Sequence, residues 1–271
     1  MKLKHKELAF DIAKTGLGIL YLLPMIVMLI TSFQTKQEVL RIPFELSLRN
    51  PTFENYIHTA KFMDVFTWLK NTFIVIGVCL PMQLITALLA AYGFAFFDFK
   101  GKNFLFTLFL TSMMIPGEVV TATLFKMMVS WDLINTYAAL IITHMVSVAC
   151  VFMFRQNMLS LPRSLWEAAR MDGCGYMTYF AKIMVPLCKP LIITRLMSGF
   201  IAQYNSHMWP SLVTTTSDMR TVQAGIASIV GASHDGVSLA AATIVLIIPV
   251  CIFILGMDRI TSGMTAGAVK S

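Results

Sequence analysis

The chain is divided by long stretches that contain few or no charged side chains. A helix needs roughly 20 apolar residues to cross the hydrocarbon core of a bilayer, where no water is present to bond free backbone groups. The stretches lie between Lys14 and Lys36, between Lys70 and Asp98, over Phe104 to Met128, between Asp132 and Arg155, from Pro190 to about Leu212, and between Asp235 and Asp258. The sequence therefore predicts an all-α membrane protein with six transmembrane helices.

The composition supports this class. Of the 271 residues, 57% are hydrophobic and only 13% are charged, and the mean hydropathy is +0.73. Soluble domains carry about 25% charged residues. A net charge of +7 would suggest nucleic acid binding in a soluble protein, but in a membrane protein basic residues set the topology. The five cysteines show neither zinc spacing nor the pattern of a disulfide framework.

The distribution of lysine and arginine predicts the orientation. With a cytoplasmic N-terminus, thirteen basic residues fall inside, namely Lys2, Lys4, Lys6, Lys14, Lys100, Lys102, Arg155, Arg163, Arg170, Lys182, Lys189, Arg259 and Lys270. Seven then fall outside, namely Lys36, Arg41, Arg49, Lys61, Lys70, Lys126 and Arg220. Because basic residues favour the cytoplasmic side, we expect both termini to be cytoplasmic.

The same pattern gives the domain boundaries. We expect cytoplasmic tails over residues 1–14 and 258–271, a membrane domain over 15–257, and a cytoplasmic loop over 155–190. The first outer loop, Gln34 to Trp68, packs on the ends of helices, contacts an external partner or is a solvated connector. In the last outer loop, Ile226, Ile229 and Val230 have helical spacing, which predicts a short helix.

The cytoplasmic loop is unusually polar for a connection between spans. Pro162 suits the first turn of a helix, and the residues from Arg163 to Met171 favour helix formation. Gly173 is placed for the left-handed position that ends a helix, and a second helical stretch follows until Pro186. A helix–turn–helix of this kind docks in a groove of another protein or lies on lipid headgroups.

The side chains of the first loop helix are compatible with both a protein groove and a lipid surface. Leu165, Ala168 and Ala169 fall on one side, where small side chains allow close approach of another surface. Glu167 lies near Arg163 and Arg170 at helical spacing.

This stretch, EAARMDGCGYMTYFAKIMVP from Glu167 to Pro186, resembles the EAA loop of the permease subunits of binding-protein-dependent ABC importers. The general pattern is matched by Glu167, Ala168, Ala169, Gly173, Ile183 and Pro186, and the carbohydrate branch also by Asp172 and Phe180. Val185 replaces the usual leucine, and Cys174 replaces a usual alanine. Further matches are ENY, AAYGFA, MMIPGEV, LINTYAALII and MWPSLVTT, and the C-terminal GMTAGAVKS is similar to the maltose-type second permease.

The resemblance implies a type I importer fold in a bacterial cell membrane. It implies a homologous second permease, two cytoplasmic ATPase subunits, an extracellular or periplasmic binding protein, and a carbohydrate substrate, with an oligosaccharide expected. The chain has no GxxxxGK[ST] motif, so we expect no enzymatic activity and no cofactor here, with ATP and Mg²⁺ on the ATPases. The residues expected to couple to the ATPases are Glu167, Ala168, Ala169, Asp172, Gly173, Phe180, Ile183 and Pro186.

Polar and aromatic residues inside the spans are candidates for the substrate pathway. Hydroxyl, amide and aromatic groups suit a sugar, and an acid within a span is a functional candidate. The candidates are Glu118, Gln83, Tyr204, Asn205 and Trp209. Glu118, which follows Pro116 and Gly117, either lines a cavity or caps a broken helix. His144 and Arg195 are interpreted as structural groups.

Other functions remain open at this stage. Glycerol 3-phosphate or a glycerophosphodiester is an alternative substrate for the same machinery. A stand-alone secondary carrier would need an ion site, and Glu118 is the sole acid within the predicted spans. A membrane enzyme would need a set of catalytic side chains on one face of the bilayer, and the sequence offers no such set.

Overall fold

The structure, a computed structural model, describes residues 2–41, 45, 46, 48–230 and 235–268. Side chains are described for these residues except 2–9, 12, 13, 235 and 255–268. The regular elements of the described chain are helices, which confirms the all-α class. Residues 269–271 of the expected C-terminal tail lie outside the described residues, and the preceding helix continues to Ala268.

The α-helices in chain order are α1 Lys2–Ser32, α2 Lys36–Val39, α3 Glu54–Phe62, α4 Val65–Phe96, α5 Lys102–Thr111, α6 Gly117–Ser130, α7 Tyr137–Ile142, α8 Val148–Leu159, α9 Ser164–Met171, α10 Tyr176–Tyr179, α11 Val185–Leu187, α12 Lys189–Tyr204, α13 Met208–Val213, α14 Val222–Ile229 and α15 Asp235–Ala268. Short 3₁₀ turns cover Ser112–Met114 and Ser217–Met219, and a π-helical turn covers Phe180–Met184.

Three segments of the described chain are long and apolar enough to span a membrane. They are Lys14–Ser32, Val65–Phe96 and Gly236–Ile254. Their positions agree with the first, second and sixth predicted spans. The number rises to five if each of two bent helix pairs is counted as one span.

The third predicted span is the first of these bent pairs, and the fifth predicted span overlaps only the second helix of the other pair, whose first helix lies in the expected loop over 155–190. Helices Lys102–Met114 and Gly117–Ser130 meet at 95°, and the break falls at Ile115 and Pro116. Helices Tyr176–Leu187 and Lys189–Tyr204 meet at 68°. The fifth predicted span was expected to continue to about Leu212, but α12 ends at Tyr204 and α13 follows after a short break.

The fourth predicted span is not a single helix. The stretch between Asp132 and Arg155 forms α7 and α8, separated by residues 143–147. Two side chains of α4 bond to carbonyls in this gap: Gln83 Nε2 donates to the carbonyl of His144, and Thr86 Oγ1 donates to that of Met145 at 3.4 Å. The apolar pattern could not reveal the break, because the bonds that satisfy the freed carbonyls come from another helix.

The chain divides into two compact units, and the first comprises Met1–Phe66 and Gly225–Ile248. Here the amide of Asn55 on α3 donates to the carbonyls of Ser32 at 2.9 Å and Gln34 at 2.8 Å, just where α1 ends. Thr59 donates to the carbonyl of Val237 at 3.3 Å. The first outer loop therefore folds back onto the end of α1, which satisfies carbonyls that the helix leaves free.

A capping box fixes the same loop next to α1. Thr35 caps α2, and its backbone N–H donates to Glu38 Oε2 at 3.0 Å. Glu38 Oε1 accepts a second bond from the Asn50 N–H at 3.1 Å, beside the Asn50–Pro51 turn. The bond from the Thr35 N–H is the main cause that lowers the pKa of the Glu38 carboxyl, so this contact persists at neutral pH.

The second unit comprises Thr67–Ala224 and Pro249–Ser271. Buried side chains at the start of α4 hold the last outer loop within this unit. Asn71 is fully buried, and its amide donates to the carbonyls of Asp218 at 2.7 Å and Arg220 at 2.9 Å. Its carbonyl oxygen accepts a bond from the hydroxyl of Tyr137 at 2.6 Å. The loop then continues into α14, the short helix that the sequence predicts.

We expect Asn71→Leu to lower the thermal stability of the purified chain strongly. The substitution leaves two loop carbonyls and a tyrosine hydroxyl without their partner, and each unsatisfied buried group costs about 1–3 kcal/mol. Tyr137→Phe, which removes only one of these bonds, should have a smaller effect. Lys70→Gln, on the exposed neighbour, is the control, and equal unfolding temperatures for Asn71→Leu and Lys70→Gln would contradict the assignment.

Candidate functional site

The first half of the polar loop is a short helix with a defined end. Helix α9 ends at Met171, and Gly173 has a φ of +76°, which confirms the expected left-handed position. The Gly173 N–H donates to the carbonyl of Arg170 at 3.0 Å, and the Cys174 N–H donates to that of Ala169 at 2.9 Å. This pair of bonds is a Schellman motif, which fixes the direction in which the chain leaves the helix.

Helix α9 buries one face and presents another. Ala169 is 6% exposed, and Trp166 is half-buried against the same core. Leu165 is 38% exposed, Ala168 is exposed, and Met171 is 84% exposed. The sequence predicted that Leu165, Ala168 and Ala169 share one face. In the structure this face is divided, because Trp166 packs on the core together with Ala169 and leaves Leu165 and Ala168 exposed.

An aromatic cluster joins the polar loop to the end of α4. Trp166 stacks on Tyr176 with ring centroids 5.1 Å apart, and meets Phe96 edge to face at 4.8 Å. Tyr179, which is 2% exposed, packs against both Trp166 and Phe96. The hydroxyl of Tyr92 donates to the carbonyl of Tyr176 at 3.0 Å. This cluster packs α9 against the end of α4.

The charged groups of the loop are exposed. Glu167 and Asp172 are both accessible, as are Arg163 and Arg170. Among the described residues, no ion pair joins Glu167 to either arginine. The carboxylate of Glu167 is therefore available to a cation on another molecule, next to the exposed apolar side chain of Met171.

The second half of the loop differs from the prediction. Phe180 and Ile183 are half-buried against the core, in the π-helical turn Phe180–Met184. Pro186 was expected to end the helix, but it lies in the first turn of α11, where a proline gives up no backbone bond. The bend follows at Cys188, whose thiol donates to Asn157 Oδ1 at 3.3 Å.

Three of the five pathway candidates are buried within the chain. Tyr204 is 1% exposed. Trp209 is 8% exposed, and its indole donates to the carbonyl of Ala139 at 3.0 Å. Gln83 is 6% exposed, and its amide oxygen accepts a bond from Arg195 at 3.1 Å. The structure thus brings Gln83 together with Arg195, whose Nε also donates to the thiol of Cys150.

The other two candidates are accessible. Glu118 lies in the first turn of α6, directly after the break at Pro116. A carboxylate in this position interacts favourably with the positive end of the helix dipole. Asn205 is exposed and caps the C-terminal end of α12. Only these two candidate side chains present polar groups at the surface of the described chain.

Asn71 was not among the residues singled out from the sequence, and Arg195 was interpreted only as a structural group, whereas its side chain joins α12 to two other helices. Both are polar residues in otherwise apolar stretches, and this signal was present in the sequence. Asn71 lies close to Lys70, at the edge of a predicted span, so it did not stand out.

Comparison with known proteins gives consistent matches along the chain. Residues 83–262 match the model of the binding-protein-dependent transport system inner membrane component family. The matched region includes the polar loop and all five pathway candidates.

Curated relatives are permease proteins. The arabinooligosaccharides transport system permease protein AraQ of Bacillus subtilis is 34% identical over 261 residues, covering 94% of this chain and 92% of the relative. The sn-glycerol-3-phosphate transport system permease protein UgpE of Escherichia coli is 31% identical over 255 residues, covering 90% of each.

The fold matches a solved structure as well. A chain in the crystal structure of a bacterial ABC transporter involved in the import of the acidic polysaccharide alginate superposes with a TM-score of 0.80, although only 18% of residues are identical. The match covers 93% of this chain and 96% of the other. The similarity thus extends far beyond the EAARMDG stretch. This protein belongs to the binding-protein-dependent transport system inner membrane component family.

Proposed function

We propose that this chain is one membrane-spanning half of a carbohydrate ABC importer, and that α9 transmits the motion of a cytoplasmic ATPase to the spans. A homologous second permease forms the other half of the pathway, and a binding protein delivers the substrate from outside. ATP and Mg²⁺ bind to two separate ATPase subunits. The proposal includes six spans, counting the α5–α6, α7–α8 and α12–α13 pairs as one span each, with both termini in the cytoplasm.

The observation that carries the proposal is the two-sided character of α9. Its exposed side offers Leu165, Ala168, Met171 and the unpaired carboxylate of Glu167, a small apolar surface with one charge. Its buried side is packed through Trp166 onto the end of α4. A groove in an ATPase that holds the exposed side would therefore move α4 whenever the groove moves.

The break between α11 and α12 suits the same role. The π-helical turn and the 68° bend lie between α9 and α12, where the helix has fewer regular hydrogen bonds. Phe180 and Ile183 hold the turn to the core that also contains Ala169. Movement of α9 would thus reach α12 as well as α4.

The relatives support a carbohydrate substrate. The permease named for arabinooligosaccharide transport aligns over 94% of the chain with 34% identity. The permease named for sn-glycerol-3-phosphate transport aligns over 90% with 31% identity, which keeps a phosphorylated glycerol as the second candidate. Membership in a binding-protein-dependent family favours either importer over a stand-alone carrier.

The pathway in this proposal is lined by Glu118 and Asn205 rather than by the buried candidates. Both side chains are exposed in the single chain, and both follow a break or an end of a helix. Gln83, Tyr204 and Trp209 act from behind this surface, by holding α4, α12 and α13 in place.

The orientation can be tested by thiol labelling. In a variant without the native cysteines, we expect a cysteine at Ser164 to react with an impermeant reagent only after the membrane is opened. A cysteine at Asn50 should react in intact cells, because the proposed topology places it outside. The reverse pattern would contradict the proposed orientation.

Coupling can be tested at Gly173. Gly173→Leu should abolish uptake and reduce co-purification of the ATPase, because a side chain at a φ of +76° costs about 1–2 kcal/mol and redirects the chain after α9. Gly175→Leu is the matched control, since Gly175 has a φ of −79° and open space for a side chain. Normal uptake and ATPase retention in Gly173→Leu would favour a loop helix that binds only lipid.

Coupling can also be tested by reversing the charge of Glu167 and measuring ATPase co-purification and uptake. Glu167→Lys should weaken ATPase binding roughly 30-fold or more, because an unpaired partner charge in a buried contact costs roughly 2–5 kcal/mol. Arg163→Gln, one turn earlier and also exposed, serves as its control.

The pathway can be tested by comparing Asn205 with Trp209. We expect Asn205→Ala to lower uptake without changing thermal stability. Trp209→Phe should instead lower stability by about 1–3 kcal/mol, because the carbonyl of Ala139 loses its buried donor. Uptake and thermal unfolding are measured on both, and full uptake in Asn205→Ala would remove it from the pathway.

A further inference from the structure

A cavity of about 360 Å³ lies outside the proposed coupling surface and pathway. It is bounded by the connection between α4 and α5 and by Arg155 near the end of α8. Because α4 spans the membrane and ends at Phe96, a cavity beginning at Asp98 lies where the hydrocarbon meets water. This position does not depend on which side is cytoplasmic.

Two cations face the cavity, and both are held in place. Arg155 donates through Nε to the carbonyl of Phe94 at 3.3 Å, and its guanidinium lies 4.0 Å from the ring centroid of Phe106. Among the residues that the structure describes, no carboxylate forms an ion pair with Arg155. Its terminal nitrogens therefore remain available for a planar, two-oxygen contact of the kind that phosphate provides.

The second cation is partly neutralised. Lys102 Nζ lies 3.1 Å from Asp98 Oδ1, and the lysine side chain is only 16% exposed while the aspartate is fully exposed. An ion pair with one fully exposed partner contributes little energy, so an anion in the cavity can compete for the lysine. The carboxylate of Asp98 repels such an anion. Removing the lysine charge and removing the aspartate charge should therefore change anion binding in opposite directions.

An apolar rim adjoins these cations. Phe104 is 71% exposed and Phe99 is 44% exposed, and both line the cavity. Farther along the same helix Leu108 is 57% exposed. A basic cavity beside exposed aromatic and aliphatic side chains, at the end of membrane helices, matches the two parts of an anionic phospholipid.

We propose that this cavity binds the headgroup phosphate of an anionic glycerophospholipid, with Arg155 and Lys102 on the phosphate and Phe99 and Phe104 against the glycerol and upper acyl chains. A free phosphate ion shares the headgroup chemistry but lacks the chains. The apolar rim favours the lipid as the source.

Native mass spectrometry of the purified full chain, titrated with phosphatidylglycerol, tests the proposal. Arg155→Gln and Lys102→Gln should each weaken phosphatidylglycerol binding about fivefold, the effect of one basic residue near an anionic lipid surface. Lys100→Gln is the matched control, because Lys100 is an exposed neighbour that does not line the cavity. Asp98→Asn should tighten binding about fivefold, because it removes the competing carboxylate.

The alternatives give different results. Equal losses for Lys100→Gln and Lys102→Gln would mean that overall charge alone is recognised, and would overturn the site. Phosphatidylcholine binding as tightly as phosphatidylglycerol would overturn the role of the negative charge. Inorganic phosphate that displaces phosphatidylglycerol at comparable concentrations would assign the site to a free ion. Tighter binding in Asp98→Asn, with weaker binding in Lys102→Gln, supports the lipid site even if Arg155→Gln fails to fold.

Discussion

The interior of a bilayer holds no water, so backbone groups within the spans must find their hydrogen-bond partners in the protein. A helix that breaks inside the membrane exposes carbonyls that only protein groups can bond. Here Gln83 and Thr86 on α4 bond to the gap between α7 and α8. These contacts let the chain carry irregular segments among its spans, and they give α4 a central position in its unit.

Helix α4 also connects the two ends of that unit. At its start, Asn71 bonds to the last outer loop, and at its end Phe96 packs on Trp166 of α9. Between them Gln83 accepts a bond from Arg195 of α12. A displacement of α9 would thus act on one continuous helix that contacts the outer loop, the gap and α12, which suits the proposed coupling.

The charged side chains of α9, α12 and α8 have different roles. Glu167 on α9 is exposed and unpaired within the described chain, which suits contact with a partner protein. Arg195 is held by neutral groups, Gln83 and Cys150, and serves to connect helices. Arg155 is fixed by a carbonyl and an aromatic ring at the edge of the membrane, where an anionic headgroup can reach it.

The sequence was sufficient to predict the all-α membrane class, the first, second and sixth spans, the short helix α14 and the left-handed glycine that ends α9. These follow from local properties, since an apolar stretch of sufficient length or a glycine after a helix acts within its own segment. Packing between distant segments was needed to show that the fourth predicted span is two helices, that Trp166 rather than Leu165 faces the core, and that Trp209 is buried. Each of these depends on bonds or packing with residues distant along the chain, such as Gln83 with His144, and no local pattern encodes them.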